Sequence, residues 1–344
     1  MKPNLYIITL EPIEKRYTKQ WYNYWKPAFS KYFNVRYIDG PKMPDKIEKG
    51  KFLDINKTNM WKAQQVFNLA ELFSYDTVKK GDRFLFMDGW HFGITALKYM
   101  SQLNNIPIKI YAYWHAGSYD PYDFVTQAGL RKWACHNELG WFKACDGHFV
   151  ATQFHKDMIV SFFGKNIKKV KIHVVGFPMD WQKEIKKEIG MVNVKKLPKK
   201  DLVVFPHRVD PEKSPQVFDS IARQLPEFEF VKTMEVTKNK KEYYNLIKDA
   251  KIIFSANLQE TYGIGTVEAM MLGALPVVPN TLSYKEMYDG HFKYISRKSA
   301  IDKIKYLIKN YWSPVLQKAL TENQEKLRQQ SLDSVPKMAN VMLK

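Results

Sequence analysis

Short runs of consecutive apolar residues recur along the chain, separated by longer stretches that mix apolar and polar positions. The runs are four to seven residues long and rich in Val, Ile, Phe and Tyr, which is typical of strands buried on both faces of a sheet. They predict strands at residues 5–10, 35–38, 84–87, 108–114, 148–151, 172–175, 202–205, 228–231, 252–256 and 276–279. The stretches between them predict helices, for example at 60–73, 154–163, 215–224 and 243–250.

This alternation of strands and helices indicates an α/β protein with parallel sheets of the doubly wound type. A lysine-rich polar stretch near residues 177–200 interrupts the pattern before it resumes. We therefore expect two Rossmann-like domains, at residues 1–180 and 181–310, that face each other across a cleft. Residues 311–344 predict C-terminal helices that cross back over the first domain. Ligands bind open α/β sheets at the carboxyl ends of the strands, so the chemistry is expected there.

The composition narrows the class of protein. With 45% hydrophobic and 26% charged residues in 344, the chain can fill two cores, which excludes an intrinsically disordered protein. Two cysteines, Cys135 and Cys145, exclude a disulfide scaffold and fit a reducing compartment. No segment has the roughly 18–20 uninterrupted apolar residues of a membrane-spanning helix, and the first residues lack the features of a signal peptide. We expect a soluble, cytoplasmic protein, in the host cytoplasm if it is viral.

One strand–loop–helix segment carries the strongest chemical signal. Its loop contains Gly263 and Gly265 and leads into a helix that is predicted to start at Thr266, a good N-cap residue. Glycines let a backbone approach a ligand closely, and free N–H groups at a helix start favour a phosphate. A carboxylate, here that of Glu260 or Glu268, can accept two hydrogen bonds from neighbouring hydroxyls of a sugar or ribose. One such glutamate alone would be interpreted as solvated, but the whole arrangement favours a functional site.

The spacing Glu260-x7-Glu268, with the run Glu268-Ala-Met-Met-Leu-Gly-Ala-Leu-Pro-Val-Val, resembles the signature of retaining glycosyltransferases of family four and their GT-B relatives. In that family the first glutamate contacts the transferred sugar, the second contacts the nucleotide ribose, and the amides between them meet the diphosphate. The resemblance covers about residues 200–280 and implies a GT-B fold. The residues to which it assigns donor binding here are Glu260, Glu268 and the backbone of Gly263, Ile264, Gly265 and Thr266.

A second match follows the strand predicted at 202–205. The segment His207-Arg-Val-Asp-Pro-Glu-Lys213 resembles the family's Gly-Arg-x-x-Pro-Glu-Lys-Gly, in which the arginine and the lysine clamp the donor diphosphate. Arg208 and Lys213 keep the five-residue offset, whereas His207 and Ser214 replace the family's glycines. Two fixed cations would neutralise the charge that builds on the leaving diphosphate as the sugar departs. In so basic a chain, the alternative is that both side chains are only solvated.

A third, weaker match is His115, at the end of the strand predicted at 108–114. The family often places a histidine there, facing the acceptor, where a neutral imidazole can donate or accept a hydrogen bond. The alternative is a histidine packed beside Tyr113 and Trp114. The resemblance therefore implies a catalytic set of Glu260, His115, Arg208 and Lys213. The glycine-rich loop that many members carry after the first strand is missing here, so something other than backbone lines that side.

Metal sites are poorly supported by the sequence. Cys135, His136, Cys145 and His148 lack the paired cysteine spacing of structural zinc sites. No Asp-x-Asp pair serving a diphosphate follows a strand, so we expect a metal-independent site that needs no cofactor. The nucleotide-sugar donor, expected to be a UDP-sugar, is a substrate.

The net charge of +19 implies an anionic partner, and a nucleotide-sugar donor needs only a few of those cations. Residues 15–31 interleave aromatic and basic side chains, which suits the bases and phosphates of a nucleic-acid acceptor. The same composition suits an anionic membrane surface, or an amphipathic helix whose aromatic residues are core. The candidates for contact with the acceptor are Arg16, Lys19, Trp21, Trp25, Asp88 and Trp114.

Viral enzymes that glycosylate hydroxymethylated pyrimidines in DNA share the GT-B fold and a basic cleft, and this chain resembles them in size and charge. We therefore expect a retaining hexosyl- or pentosyltransferase with DNA as its acceptor. One alternative is a membrane-surface glycosyltransferase that acts on a lipid or cell-wall acceptor. The other is a nucleic-acid-binding protein on a GT-B scaffold that has no catalytic activity.

Overall fold

The computed structural model describes residues 2–14, 16–42, 54–190, 193 and 197–344. It divides the chain into two compact units. The first consists of Met1–Met179 together with Leu332–Lys344, and the second of Asp180–Ser331. The sequence predicts a boundary after residue 180, and the second unit begins at Asp180. Parts of the lysine-rich stretch, at 191–192 and 194–196, lie outside the described residues, as does Lys15 of the aromatic and basic stretch.

The described part of the first unit contains a parallel sheet in the order β2-β1-β3-β4-β5-β6. Its strands are β1 (Asn4–Ile8), β2 (Asn34–Ile38), β3 (Arg83–Phe86), β4 (Lys109–Tyr113), β5 (Gly147–Val150) and β6 (Ile172–Val174). Its helices are α1 (Tyr17–Phe29), α2 (Ile55–Ser74), α3 (Gly93–Leu103), α4 (Phe124–Gln127), α5 (Arg131–Ala144) and α6 (Gln153–Phe163). The order reverses direction between β1 and β3, as in doubly wound folds, which places the ends of these two strands at a site of ligand binding.

The second unit has its own parallel sheet, in the order β11-β10-β9-β7-β8 among the described strands. These are β7 (Lys200–Phe205), β8 (Glu229–Lys232), β9 (Ala250–Phe254), β10 (Leu275–Pro279) and β11 (Lys293–Tyr294). The helices of this unit are α7 (Trp181–Ile189), α8 (Pro215–Ala222), α9 (Thr233–Val236), α10 (Lys240–Asp249), α11 (Ile264–Met271), α12 (Tyr284–Met287), α13 (Arg297–Lys309) and α14 (Pro314–Leu332). The last helix, α15 (Ser334–Leu343), belongs to the first unit.

The predicted α/β class is confirmed, because each apolar run identified in the sequence contributes to a strand of one of the two parallel sheets. Strands that are covered by helices on both faces need apolar residues at consecutive positions. Such strands can therefore be predicted from continuous apolar runs in the sequence. The strand β11 was not predicted, since its two residues are too few to give a pattern.

The C-terminal helices divide differently from the prediction, in which residues 311–344 all cross back to the first domain. Helix α14 belongs to the second unit up to Ser331. Its Asn323 side chain accepts from the Asp289 amide at 2.7 Å and donates to the Met287 carbonyl at 2.7 Å, which ties the helix to the end of α12. Only Leu332–Lys344 joins the first unit, where Arg83 Nε donates to the Met342 carbonyl at 2.5 Å. The apolar face of a helix does not indicate which of the two units it packs against. The sequence therefore could not predict where the C-terminal helices divide between the units.

The aromatic and basic stretch forms helix α1, which is amphipathic. Its residues 17, 21, 25 and 29 are four positions apart and so lie on one face. Trp21 and Trp25 are fully buried on that face, and their rings lie 4.6 Å apart. Trp21 also packs against Phe177, with ring centroids 4.7 Å apart. The alternative of a helix with core aromatics, weighed in the sequence, is the one that the structure supports.

Within the described ranges, no helix combines the length and the apolar character that crossing a membrane requires.

Candidate active site

Two loops of the second unit meet at the carboxyl edge of its sheet. One follows β7 and contains Lys213, and the other follows β9 and contains Glu260. Since β7 and β9 are neighbours in the sheet, the loops that leave their carboxyl ends are brought together. The Leu258 amide donates to the Glu212 carbonyl at 2.8 Å and joins the two loops. Lys213 Nζ lies 3.4 Å from Glu260 Oε2 and donates to the Gln259 carbonyl at 2.7 Å.

The Glu260 carboxylate is held by donors on several sides. Besides Lys213, it accepts from the Gly263 amide at 2.9 Å and from Asn257 Nδ2 at 3.0 Å. Burial alone would raise the pKa of Glu260, but Lys213 and the amides of Tyr262 and Gly263 together lower it below its ordinary value. The carboxylate is therefore ionised at neutral pH and fixed in one orientation, which suits a group that has to accept hydrogen bonds from a ligand.

The helix after this loop begins earlier than predicted. Gly263 is its N-cap, with a positive φ of 82°, and α11 starts at Ile264. Thr266 is completely buried inside the helix and does not cap it, which corrects the prediction. The left-handed backbone at Gly263 favours glycine, and it turns the Gly263 amide onto Glu260. A Cβ at Gly265 would lie 3.0 Å from Pro206, so this glycine allows the helix to approach the loop after β7 closely.

Glu268 lies in α11 and is almost completely buried. Its Oε1 accepts from Lys240 Nζ at 2.6 Å and from the Tyr244 hydroxyl at 2.7 Å. Lys240 also lies 5.0 Å from the centre of the Tyr243 ring. Lys240 and Tyr244 were missed in the sequence, because they are one turn apart on α10 and no motif includes them. The carboxylate expected to bind ribose is thus oriented by a cation and a hydroxyl from a neighbouring helix.

Arg208 is engaged by two acids of its own loop. Its Nη1 forms an ion pair with Asp210, and its Nη2 lies 3.1 Å from Glu212 Oε1. The five-residue offset therefore places Arg208 and Lys213 on one loop, where each cation faces a carboxylate. The neighbouring His207 is buried, and burial together with the charge of Lys213 lowers its pKa to about 3, so its imidazole is neutral at physiological pH. No motif predicted the pairing of Arg208 with Asp210 and Glu212.

His115 of the first unit follows β4 and is partly buried. Its Nε2 lies 2.9 Å from the Met87 carbonyl oxygen, and its Nδ1 lies 3.4 Å from the Tyr17 hydroxyl. Burial lowers the pKa of His115, so the imidazole is neutral at physiological pH. Its ring also lies 5.0 Å from that of Trp21. The ring lies 5.2 Å from that of Tyr113, one of the two rings named in the packed alternative. The imidazole is oriented by groups on both of its nitrogens.

A pocket lies at the ends of β1 and β3 in the first unit. Arg16 and Asp88, two of the residues predicted to contact an acceptor, line it together with Lys62. Lys62 Nζ donates to the Trp90 carbonyl at 2.5 Å and lies 3.8 Å from Asp88 Oδ2. Its ammonium is buried, and burial lowers the pKa of Lys62. The pocket occupies the side from which the family's glycine-rich loop is missing, and it is lined by side chains.

The three tryptophans predicted to contact an acceptor are corrected by their burial. Trp21 and Trp25 are in the core of the first unit and present no ring face to a base. Trp114 is also buried, stacked on Phe142 at 4.1 Å between ring centroids. Lys19 lies at the surface, in an ion pair of 2.9 Å with Glu14. Apolar rings on one helix face or inside a strand are buried first, and this physical preference outweighs their capacity to stack on a ligand.

Among the residues that the structure describes, no three His, Cys, Asp or Glu side chains are grouped so as to hold a metal ion.

The fold has counterparts among solved structures. Sucrose-phosphate synthase from Thermosynechococcus elongatus matches over 99% of this chain and 97% of its own, with a TM-score of 0.67 and 11% sequence identity. Anabaena HepE, solved in complex with UDP and glucose, matches over 99% of this chain and all of its own, with a TM-score of 0.64 and 10% identity. The pneumococcal O-GlcNAc transferase GtfA, solved with UDP and GlcNAc, matches over 82% of this chain and 60% of its own, with a TM-score of 0.57 and 13% identity. The chain therefore has the GT-B fold, as expected from the sequence.

No protein-family model and no curated protein sequence matches the chain.

Proposed function

We propose that this protein is a retaining glycosyltransferase that takes a sugar from a nucleoside diphosphate, with UDP as the nucleotide. The observation that carries the proposal is the Lys213–Glu260 pair, 3.4 Å apart at the carboxyl edge of the second sheet, beside the start of α11 and on the same pair of loops as Arg208. Solved proteins of the same fold contain UDP with glucose or with GlcNAc, which supports the choice of donor.

Each site residue has a role that its surroundings support. Arg208 and Lys213 neutralise the diphosphate as it leaves. The amides of residues 264–266 bind its oxygens, whereas the Gly263 amide, also predicted to do so, donates to Glu260. Glu260 is ionised and fixed, so it accepts hydrogen bonds from hydroxyls of the sugar that is transferred. Glu268, oriented by Lys240 and Tyr244, accepts from the ribose.

The reaction breaks the bond between the anomeric carbon and the diphosphate oxygen and forms a bond from that carbon to the acceptor oxygen on the same face. An oxygen of the departing diphosphate takes the proton of the acceptor hydroxyl, so no side chain has to act as a nucleophile. His115, neutral and oriented by the Met87 carbonyl and Tyr17, is the proposed hydrogen-bonding group for the acceptor in the first unit. The rate enhancement then comes mainly from positioning and from stabilisation of the diphosphate charge.

For the acceptor we propose a hydroxymethylated pyrimidine of DNA. The net charge of +19 supports it, because far fewer cations would serve a nucleotide sugar alone. With Trp21 and Trp25 in the core, the pocket lined by Arg16 and Asp88 becomes the candidate for holding the acceptor hydroxyl. A membrane-surface acceptor is the second candidate, favoured by Ile55, Met60 and Phe67, which are each more than half exposed on α2.

The proposal is tested by incubating the protein with UDP-glucose, UDP-GlcNAc and other nucleotide sugars, together with plain DNA, hydroxymethylated DNA or anionic vesicles. Nucleoside mass spectrometry detects sugar on DNA, and the anomeric coupling constant in NMR reports whether configuration is retained. Sugar on hydroxymethylated DNA is the expected result. Transfer only in the presence of vesicles that contain a lipid acceptor would select the membrane alternative. Binding of DNA without turnover of any donor would favour a non-catalytic nucleic-acid-binding protein.

A further inference from the structure

The loop that follows β7 contains two carboxylates that can compete with the proposed diphosphate for Arg208. Asp210 and Glu212 lie two and four residues after Arg208, and both carboxylates contact its guanidinium. Glu212 also uses its main-chain carbonyl to accept from Leu258, which fixes this loop against the one that contains Glu260. Glu212 is therefore held beside the cation by a main-chain contact that also joins the two loops of the site.

Carboxylates and phosphates bind a guanidinium through the same N–H groups, often two at a time. A diphosphate that reaches Arg208 must therefore replace at least part of its contact with Asp210 and Glu212. The balance of charge points in the same direction. The cluster has three carboxylates, those of Asp210, Glu212 and Glu260, against the two cations Arg208 and Lys213, and His207 adds no charge because its pKa is about 3.

We propose that Asp210 and Glu212 weaken the binding of the nucleoside diphosphate and thereby speed the release of this product after transfer. The inference rests on the proposed function, since it takes the diphosphate as the ligand of Arg208. In the empty site the two carboxylates occupy the guanidinium. In the loaded site the diphosphate displaces them, and their return favours its departure. Both residues set the affinity for the diphosphate, and neither has to touch the sugar.

This proposal predicts that removing either acid increases the affinity for UDP. Removing an acid that has only a structural role would loosen the loop and weaken binding. Here Asp210→Asn and Glu212→Gln, which keep the size of the side chains, should each tighten UDP binding by about fivefold, as expected for a partly exposed charge pair worth up to roughly 1 kcal/mol. The Ki for product inhibition by UDP should fall by the same factor.

Titration calorimetry with UDP measures these changes, and three further variants act as controls. Asp219→Asn removes the same charge at a site where Asp219 pairs with Lys232, away from this loop, and should leave the Kd of UDP nearly unchanged. Combining Arg208→Ala with Asp210→Asn or Glu212→Gln should abolish the gain in UDP affinity. Without the guanidinium, the carboxylates and the diphosphate no longer compete for the same group. Thermal melting checks that each protein is folded.

The outcomes separate the inference from the proposed function. Equal or weaker UDP binding by both folded single variants would overturn the inference, as would an equal gain in Asp219→Asn or a gain that persists without Arg208. If the wild-type protein binds none of UDP, ADP, GDP and TDP at millimolar concentration, the proposed function itself is wrong. If UDP binds the wild type and both variants bind it more tightly, the inference holds.

Discussion

Two carboxylates on loops after parallel strands, the partly buried Glu260 of the second unit and the buried Asp123 of the first, have pKa values that shift in opposite directions. Lys213 and two backbone amides lower the pKa of Glu260 even though burial opposes them. For Asp123, burial raises the pKa to about 7, and the neighbouring carboxylates of Asp120, Glu138 and Asp88 act in the same direction. The fold gives both residues the same kind of position, and the difference comes from their partners.

This difference indicates where a charged ligand can be bound. The second unit places cations and amides around its acid, so it holds fixed charges of both signs at the edge of the sheet, as phosphoryl and glycosyl chemistry requires. The first unit places acid beside acid, and its loop after β4 is stabilised when one of them is neutral. This contrast supports the proposal that the diphosphate binds in the second unit.

The largest expected effect tests the core of the first unit. Trp21→Ala should lower the free energy of unfolding by about 3–5 kcal/mol, because it removes a completely buried indole. Chemical denaturation followed by circular dichroism measures the change. Trp133→Ala is the matched control, since that indole is 50% exposed, and it should change stability by no more than about 0.5 kcal/mol. Equal losses for the two variants would contradict the assignment of Trp21 to the core.

The next effect tests the charges of the second unit. Arg208→Ala should reduce turnover of the nucleotide sugar by about 100-fold or more, since it removes a cation that stabilises the leaving diphosphate. Release of UDP in a coupled assay measures it. Arg223→Ala, at an exposed arginine at the end of α8, should retain nearly full turnover. If Arg208→Ala keeps turnover close to that of the wild type, Arg208 does not stabilise the leaving diphosphate.

The smallest of these effects concerns pH. The folded protein keeps the Asp123 proton up to about pH 7, whereas the unfolded chain releases it near 3.8, so the folded state binds more protons between these values. Stability should therefore fall as the pH rises from about 4 to about 7. Asp123→Asn should remove this dependence and gain about 3 kcal/mol relative to the wild type between pH 5 and pH 8, since the dependence covers about two pH units of this range and each is worth about 1.4 kcal/mol.

Denaturation of both proteins at the two pH values gives that difference directly, and groups shared by the two proteins cancel. A constant difference in unfolding free energy across this pH range would mean that Asp123 has an ordinary pKa. The contrast with Glu260 would then be lost.

Most of the fold and the centre of the site could be predicted from the sequence, because both depend on local rules. Strands buried on both faces are continuous apolar runs, and loops after adjacent strands meet by topology, which was enough to bring Lys213 and Glu260 together. The partners of Arg208 and Glu268 could not be predicted. Glu212 was visible only as part of a motif, and Lys240 comes from another helix. Trp21 was misassigned because composition reports aromatic and basic residues without reporting which helix face each occupies.

The most direct test of the account is the affinity of UDP for a protein that lacks the Lys213 ammonium. Titration calorimetry should show one UDP bound per wild-type chain and at least tenfold weaker binding to Lys213→Met, with binding unchanged in Lys318→Met, whose lysine is 78% exposed. If UDP binds to wild type and Lys213→Met with the same affinity, the diphosphate is not held where the second unit gathers its charges, and the account is wrong.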